Sequence, residues 1–287
     1  MKNLLLPVLL ASGLLQGCLN DSSDNSELSL SITDAPIDFA AAVNIEISGV
    51  ELHSNDGTYT FDFETPKVIN LLELQGSEAE TLLDSVEIPA GEYQWVRLQV
   101  ENASITLLGG GLEPLTISSA AQSGFKLISG FTLPANGSAD FTLDFDVRKS
   151  IVAKGINGQN GYSMKPTMRM VNNIEVGHIA GNVDGSLLTA NCDVNASLAV
   201  YAYEGLDATT GDEGSTDAPV ASSLVDENFD YEIGFLTQGE YTIALTCNAD
   251  SDDVEVAGDD LEFVHTANVS VDSKNTASFD FELSVSL

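Results

Sequence analysis

Basic residues are scarce in this chain. It carries 10 Lys and Arg against 44 Asp and Glu, a formal charge of −34, and this excludes nucleic acid as a partner, because phosphate recognition needs clustered cations. Histidine is almost as scarce. His53, His178 and His265 stand singly and no His-Glu-x-x-His stretch exists, so a zinc centre lacks its ligands. The chain has no Gly-x-Ser-x-Gly elbow and no Gly-x-x-x-x-Gly-Lys loop, which removes the common serine-hydrolase and phosphate-cradling designs. Ser123-Gly124-Phe125-Lys126 matches Ser-x-x-Lys, but its companion motifs are missing and the segment leads into a strand. Two carboxylates can hydrolyse a glycoside, yet with 44 acids their adjacency in sequence is uninformative. The expectation is a non-enzymatic protein, with a carboxylate-based hydrolase as a distant alternative.

Cysteine is limited to Cys18, Cys192 and Cys247. Residues 1–17 have the three zones of an export signal: Lys2, an apolar stretch from Leu4 to Leu15, and Leu15-Gln16-Gly17-Cys18. The apolar stretch is shorter than the ~20 residues that span a bilayer, and it fits a signal h-region. The tetrad resembles the bacterial lipobox, in which the signal is removed and the cysteine is lipidated. The resemblance implies an exported chain anchored to a membrane through Cys18. Leu19 in place of Asp after that cysteine points to the outer membrane. Residues 18–27 are polar and acidic and read as a disordered tether. Export places Cys192 and Cys247 where a pair usually bonds.

Hydrophobic residues fall at every second position through most of the remainder, the strand period. Leu28, Leu30 and Ile32; Val43, Ile45 and Ile47; Tyr59, Phe61 and Phe63; Val96, Leu98 and Val100; and Phe141, Leu143 and Phe145 each alternate with polar residues. Turn residues punctuate these runs at Asn55-Asp56-Gly57 and Pro134-Ala135-Asn136-Gly137. Ser77-Glu78-Ala79-Glu80 forms a capping box before Leu82 and Leu83, which predicts one short helix. Two segments recur in order. Pro89-Ala90-Gly91-Glu92-Tyr93 resembles Thr237-Gln238-Gly239-Glu240-Tyr241, and the run 137–145 resembles 276–283. The fold expected is all-β: two antiparallel β-sandwiches of related plan, residues 28–175 and 176–287.

Charge divides the chain in the same place. Residues 28–175 hold 19 acids and 8 bases, whereas residues 176–287 hold 22 acids and one base, Lys274. Arg148, Lys149, Lys154, Lys165 and Arg169 form a basic strip without an intervening acid. It reads either as a site for an anionic ligand or as a face that docks on the acidic half or stays solvated. The acidic loops offer the only cation chemistry. From Asn248, oxygen-bearing residues alternate through Asp250 and Asp252, and Asp259 falls near the last position of a calcium loop, although Asp253 stands where that loop wants Gly. Asp207, Asp212, Glu213 and Asp217 form a second acidic loop. Calcium is therefore the single cofactor considered, and an empty hydrated loop the alternative. Trp95 opens a strand on the face opposite Val96, which suits a sugar-stacking platform or a buried ring.

Leu30-Ser31-Ile32-Thr33-Asp34-Ala35-Pro36, Gly49-Val50-Glu51, Pro89-Ala90-Gly91-x-Tyr93, Arg97-Leu98, Lys165-Pro166 and Val171-Asn172-Asn173 together resemble the bacterial lipoprotein domain of unknown function 4382. The resemblance implies a secreted β-domain and supplies no catalytic residues. Gly181-Asn182-Val183, Ala199-Val200-Tyr201, Tyr231 and Gly239-Glu240-Tyr241-Thr242 are similar to carboxypeptidase-regulatory-like, or transthyretin-like, sandwiches. The function expected is binding of a glycan or protein, adhesion, or envelope structure, with a calcium-dependent scaffold as the second reading.

Overall fold

A computed structural model of the protein describes residues 24–35, 37, 39–117, 124–155, 159–193 and 196–282. Cys18, the export signal and Ser123 lie outside the described residues. No described helix is long and apolar enough to cross a membrane.

The chain is mostly β and forms two sandwich-like domains. The first contains β1 (Asn25–Ala35), β2 (Ala40–Ser54), β3 (Gly57–Asn70), β4 (Glu80–Pro89), β5 (Gly91–Leu107), β6 (Leu112–Ile117), β7 (Phe125–Leu127), β8 (Phe131–Leu133), β9 (Ser138–Asp146), α1 (Val147–Ser150), β10 (Ile151–Ala153), β11 (Tyr162–Met164) and β12 (Met168–Asn172). One sheet has the order β12-β9-β1-β4, and the other β10-β11-β6-β5-β2-β3, with β7 and β8 added on β5. The second domain contains β13 (Val176–Asn182), α2 (Gly185–Asn191), β14 (Ala199–Glu204), β15 (Ala221–Leu224), β16 (Asp230–Thr237), β17 (Gly239–Thr246), β18 (Phe263–Val271) and β19 (Thr276–Ser278). Its sheets run β16-β13-β19 and β15-β14-β17-β18.

The alternating residues build the cores as expected. Leu28, Leu30 and Ile32 of β1 pack against Val43, Ile45 and Ile47 of β2 and against Val96 and Leu98 of β5, all buried. Burying each such side chain contributes roughly 1.5–3 kcal/mol. In the second domain Ile179, Val200, Ile233, Ile243, Leu245 and Phe281 do the same. The expected turns fall where the sequence puts them. Asn55 and Asp56 join β2 to β3, and Asn136, with φ 54°, lies between β8 and β9.

The two domains share one plan. β1 and β13 each take an antiparallel neighbour, β4 or β16, and a parallel one, β9 or β19. Facing them, β6-β5-β2-β3 corresponds to β18-β17-β14-β15. The recurring Gly-Glu-Tyr segments occupy equivalent places. The Tyr93 hydroxyl donates to the Pro89 carbonyl at 2.8 Å, and the Tyr241 hydroxyl donates to the Thr237 carbonyl at 2.7 Å, each four residues upstream.

Three expectations need correction. The sheets are mixed rather than purely antiparallel, because β9, β11 and β19 pair in parallel. The capping box at Ser77 does not start a helix: residues 80–89 form β4 on the free edge of β1. A helix there would leave that edge's backbone groups without partners, and Val86 and Ile88 favour a strand. Among the described residues the α-helix of this domain is α1, one turn capped by Asp146, whose side chain accepts from Lys149 N; residues Leu71–Glu73 form a 3-10 turn. Finally, residues 25–27 are not tether. They begin β1, and Ser26 is buried opposite Ile88.

Candidate functional site

The outer face of the sheet β15-β14-β17-β18 is covered instead of solvated. β14 is buried on both faces over Ala199–Tyr203, and Tyr201, Tyr203, Ala244 and Ala249 form a second small core there. Its cover is the two acidic loops that follow β14 and β17. The Tyr203 hydroxyl donates to the Gly211 carbonyl at 2.6 Å, and the Tyr201 hydroxyl to Asp252 Oδ2 at 2.8 Å. The second loop starts at a cross-link, since Cys247 is bonded to Cys192 with their Cα atoms 5.5 Å apart. Cys192 caps the C-terminus of α2, so the bond ties a helix end to the end of β17, just past Thr246.

The acidic residues expected to bind calcium are rearranged. Asp250 is exposed and takes no part. Asp212 from the first loop joins Asp252 and Asp259 from the second, each offering a carboxylate oxygen within 4.8 Å of the others. Of the first loop's other acids, Asp207 pairs with Asn268 and Glu213 turns towards the first domain. Asp212 Oδ2 accepts from Gly258 N at 2.8 Å, but its buried Oδ1 has no hydrogen-bond partner. Asp252 Oδ1 accepts from Glu213 N at 3.1 Å. Burial pushes the Asp252 carboxyl above its ordinary range, against the hydrogen bonds from Tyr201 and Glu213 N. Burial likewise pushes Tyr201 and Tyr203 up.

Part of the basic strip docks on this seat. Arg148 of α1, itself buried, donates through Nη1 to the Ala249 carbonyl at 3.2 Å and the Asp252 carbonyl at 3.5 Å. Lys149 Nζ lies 2.5 Å from Glu213 and 3.2 Å from Asp146. Burial lifts the Glu213 carboxyl to about 6, with Lys149 opposing. Burial works to lower the Lys149 ammonium, but Glu213 and Asp146 outweigh it and raise it. Arg169 pairs with Asp144 at 2.6 Å and donates to the Phe235 carbonyl of β16 at 3.3 Å. Between these contacts lies a cavity of about 220 Å³, bordered by Asp144, Asp146, Lys149, Arg169, Glu213 and Phe235. Backbones also meet: a Cβ on Gly234 would stand 1.8 Å from the Gly76 carbonyl oxygen.

Trp95 is half-buried on the outer face of the first domain, opposite Val96. Its ring is already occupied. His53 stacks on it at 4.9 Å, with Lys126 and Arg97 at 4.2 and 4.8 Å from its centroid. His53, Arg97 and Lys126 thus compete with any sugar for the ring, and Lys126 is held against it by a cation–π contact. His178 and His265 pack edge-on against Phe235 and Phe281.

Arg148 stood out in sequence as one of the basic strip, with docking on the acidic half among its readings, whereas Tyr201 did not stand out as part of this constellation. Tyr201 continues the Ala199-Val200-Tyr201 run, but only the fold shows that both of its faces are buried.

The match to known proteins is regional. Residues 25–166 match the domain of unknown function DUF4382. The match stops short of β12, which completes the first domain's smaller sheet. No curated protein matches the chain. Among solved structures, the Bacillus anthracis TIE protein is 10% identical with a TM-score of 0.23, over 90% of this chain and 34% of that one. The chain thus spans about a third of that protein's length. GBS52, the minor pilin of Streptococcus agalactiae, is 11% identical with a TM-score of 0.22, over 88% of this chain and 94% of that one. BcpA, the major pilin subunit of Bacillus cereus, is 11% identical with a TM-score of 0.23, over 90% of this chain and 98% of that one. Likenesses at these TM-scores carry no conclusion about function.

Proposed function

We propose that this chain is an exported lipoprotein, anchored through Cys18 at the outer membrane, whose two sandwiches serve a non-enzymatic adhesion, binding or envelope-structural role. The observation that carries the reading is polarity along β1. The strand starts at Asn25, seven residues after Cys18 in sequence, and its far end, Ala35, pairs with Asp146 beside α1, where the second domain docks. Eleven strand residues span ~35 Å, so the acidic domain stands away from the anchored end. That spacing suits a domain of net charge −21 (22 acids, one base) above an anionic lipid surface. The second domain, in this reading, is a carboxypeptidase-regulatory-like module carried outward by the first.

The carboxylates around the interdomain cavity support a non-catalytic role. Asp144 pairs with Arg169, Asp146 caps α1, and Glu213 holds Lys149. Asp34, which also lines the cavity, accepts from Val147 N at 3.1 Å, so these four carboxylates have structural partners, which favours the non-catalytic reading.

Mass spectrometry of the N-terminal peptide from membrane fractions, beside a Cys18→Ser variant, tests the anchor. Acylated Cys18 at the mature N-terminus, and release of the variant into the soluble fraction, are expected. An unmodified N-terminus, or a variant that stays with the membrane, would overturn it.

A further inference from the structure

We propose that Asp212, Asp252 and Asp259 bind a divalent cation, calcium by the chemistry of an all-oxygen carboxylate set, and that this ion clamps together the two loops on which α1 of the first domain is seated. The site goes beyond the surface role and stands whether or not the chain is anchored.

Three observations converge on it. The first is geometric. Oxygens bound to one calcium at 2.3–2.6 Å can stand at most about 5 Å apart, and the three carboxylate oxygens lie within 4.8 Å of one another. The second is an orphaned acceptor. Asp212 is 7% exposed, and its Oδ1 is buried without a hydrogen-bond partner. A buried carboxylate oxygen left so is costly, and a cation would satisfy it. The third is charge. Asp252 is 8% exposed, so three carboxylates meet in a partly buried corner beside Arg148, whose charge favours the ionised Asp252. Lys149 sits on Glu213, and Arg148 donates to the backbone carbonyls of Ala249 and Asp252. The carboxylates are also held in place. Backbone amides of Gly258, Glu213, Asp253 and Leu261, with the Tyr201 hydroxyl, donate to their other oxygens or lone pairs. Such donors orient ligands before the ion arrives.

The consequence reaches the other domain. Asp252 supplies a ligand through its side chain and receives Arg148 through its carbonyl, while Glu213, next to Asp212, receives Lys149. Fixing the loops therefore fixes the seat of α1. Calcium becomes a brace between the two sandwiches without touching the first.

The test is titration calorimetry of the full, disulfide-bonded chain with calcium chloride, with magnesium chloride as a parallel arm, and hydrogen exchange with and without calcium. One calcium site is expected, with magnesium weaker. Asp212→Asn and Asp259→Asn should each weaken binding about tenfold or more. Asp250→Ala should bind as the parent does, which separates this site from diffuse attraction to an acidic surface. If Asp212→Asn fails to fold, Asp259→Asn, at a half-exposed position, still decides. Calcium should slow exchange at residues 249–259 and also at 147–150. No binding at millimolar calcium, or equal loss in Asp250→Ala, would overturn the site. Protection confined to the loops would overturn the brace.

Discussion

β2 and β14 hold the same position in their domains, second from the edge of the larger sheet, and yet they are buried differently. β2 alternates between buried and partly exposed residues along most of its length, whereas β14 is buried on both faces for five residues in a row. The plan of strands is shared, so the strand itself does not decide whether its outer face is wet. The cover does. In the first domain the outer face carries Glu46, Glu51, Arg97 and Trp95, which pair among themselves and with neighbouring polar groups at the surface. In the second, loops anchored by Tyr201, Tyr203 and the Cys192–Cys247 bond lie over it, and those loops make the seat for the first domain. Duplicated architecture was thus put to two uses: one outer face left as a surface, the other turned into a joint.

The contrast can be broken most strongly at the cross-link. Replacing Cys192 and Cys247 by Ala frees a segment of 55 residues, which should cost about 4 kcal/mol on loop-closure grounds. Calorimetry should show the second domain melting earlier and the first, which has no bond among its described residues, unchanged. Equal loss in both domains would contradict the division of labour drawn here.

Arg148→Ala comes next. It removes a buried cation and its bonds to Ala249 and Asp252, at a cost of about 3 kcal/mol. The loss should appear as reduced coupling, with the two domains' melting transitions further apart than in the parent. Transitions spaced as in the parent would show that the joint lies elsewhere.

The pH dependence sharpens the same point. The Glu213 carboxyl stands at about 6 in the folded chain against an ordinary 4.5. The folded state therefore holds more protons between those values, and stability contributed by this group falls as pH rises from about 4.5 to 6. Urea unfolding at the two ends of that window should show the decline, and Glu213→Gln should flatten it.

The smallest effect tests the shared plan. Tyr93→Phe and Tyr241→Phe each delete a hydroxyl bond to the carbonyl four residues back, and each should cost about 1 kcal/mol. The losses should be similar and each confined to its own domain. A large loss at one position and none at the other would argue that the two turns are not equivalents.

Sequence periodicity reveals much of this fold because most strands have one wet face. Leu28, Leu30 and Ile32 declare β1, and the Gly-Glu-Tyr repeat marks two equivalent strand entries. It fails where a remote segment intervenes. Ser77 to Glu80 reads locally as a helix start, but the free edge of β1 recruits residues 80–89 as a strand. α1 is a single turn, too short to leave a periodic trace. The acidic centre was half legible. Asp252 and Asp259 belong to one loop and could be picked out by spacing. Asp212 lies about 40 residues earlier and meets them only because β14 and β17 are neighbours. Asp250, which spacing favours, points away. The basic strip was visible as composition, with the acidic half as one partner it suggested, and tertiary packing selects Arg148, Lys149 and Arg169 to make the contact.

The central claim is that the first domain's basic turn is physically coupled to the second domain's acidic loop. A double-mutant cycle between Lys149→Met and Glu213→Gln, read by chemical denaturation of the full chain, measures that coupling directly. The contact at 2.5 Å predicts an interaction free energy of about 1 kcal/mol or more. Strictly additive losses would mean that the two side chains do not meet in solution, and the joint described here would be wrong.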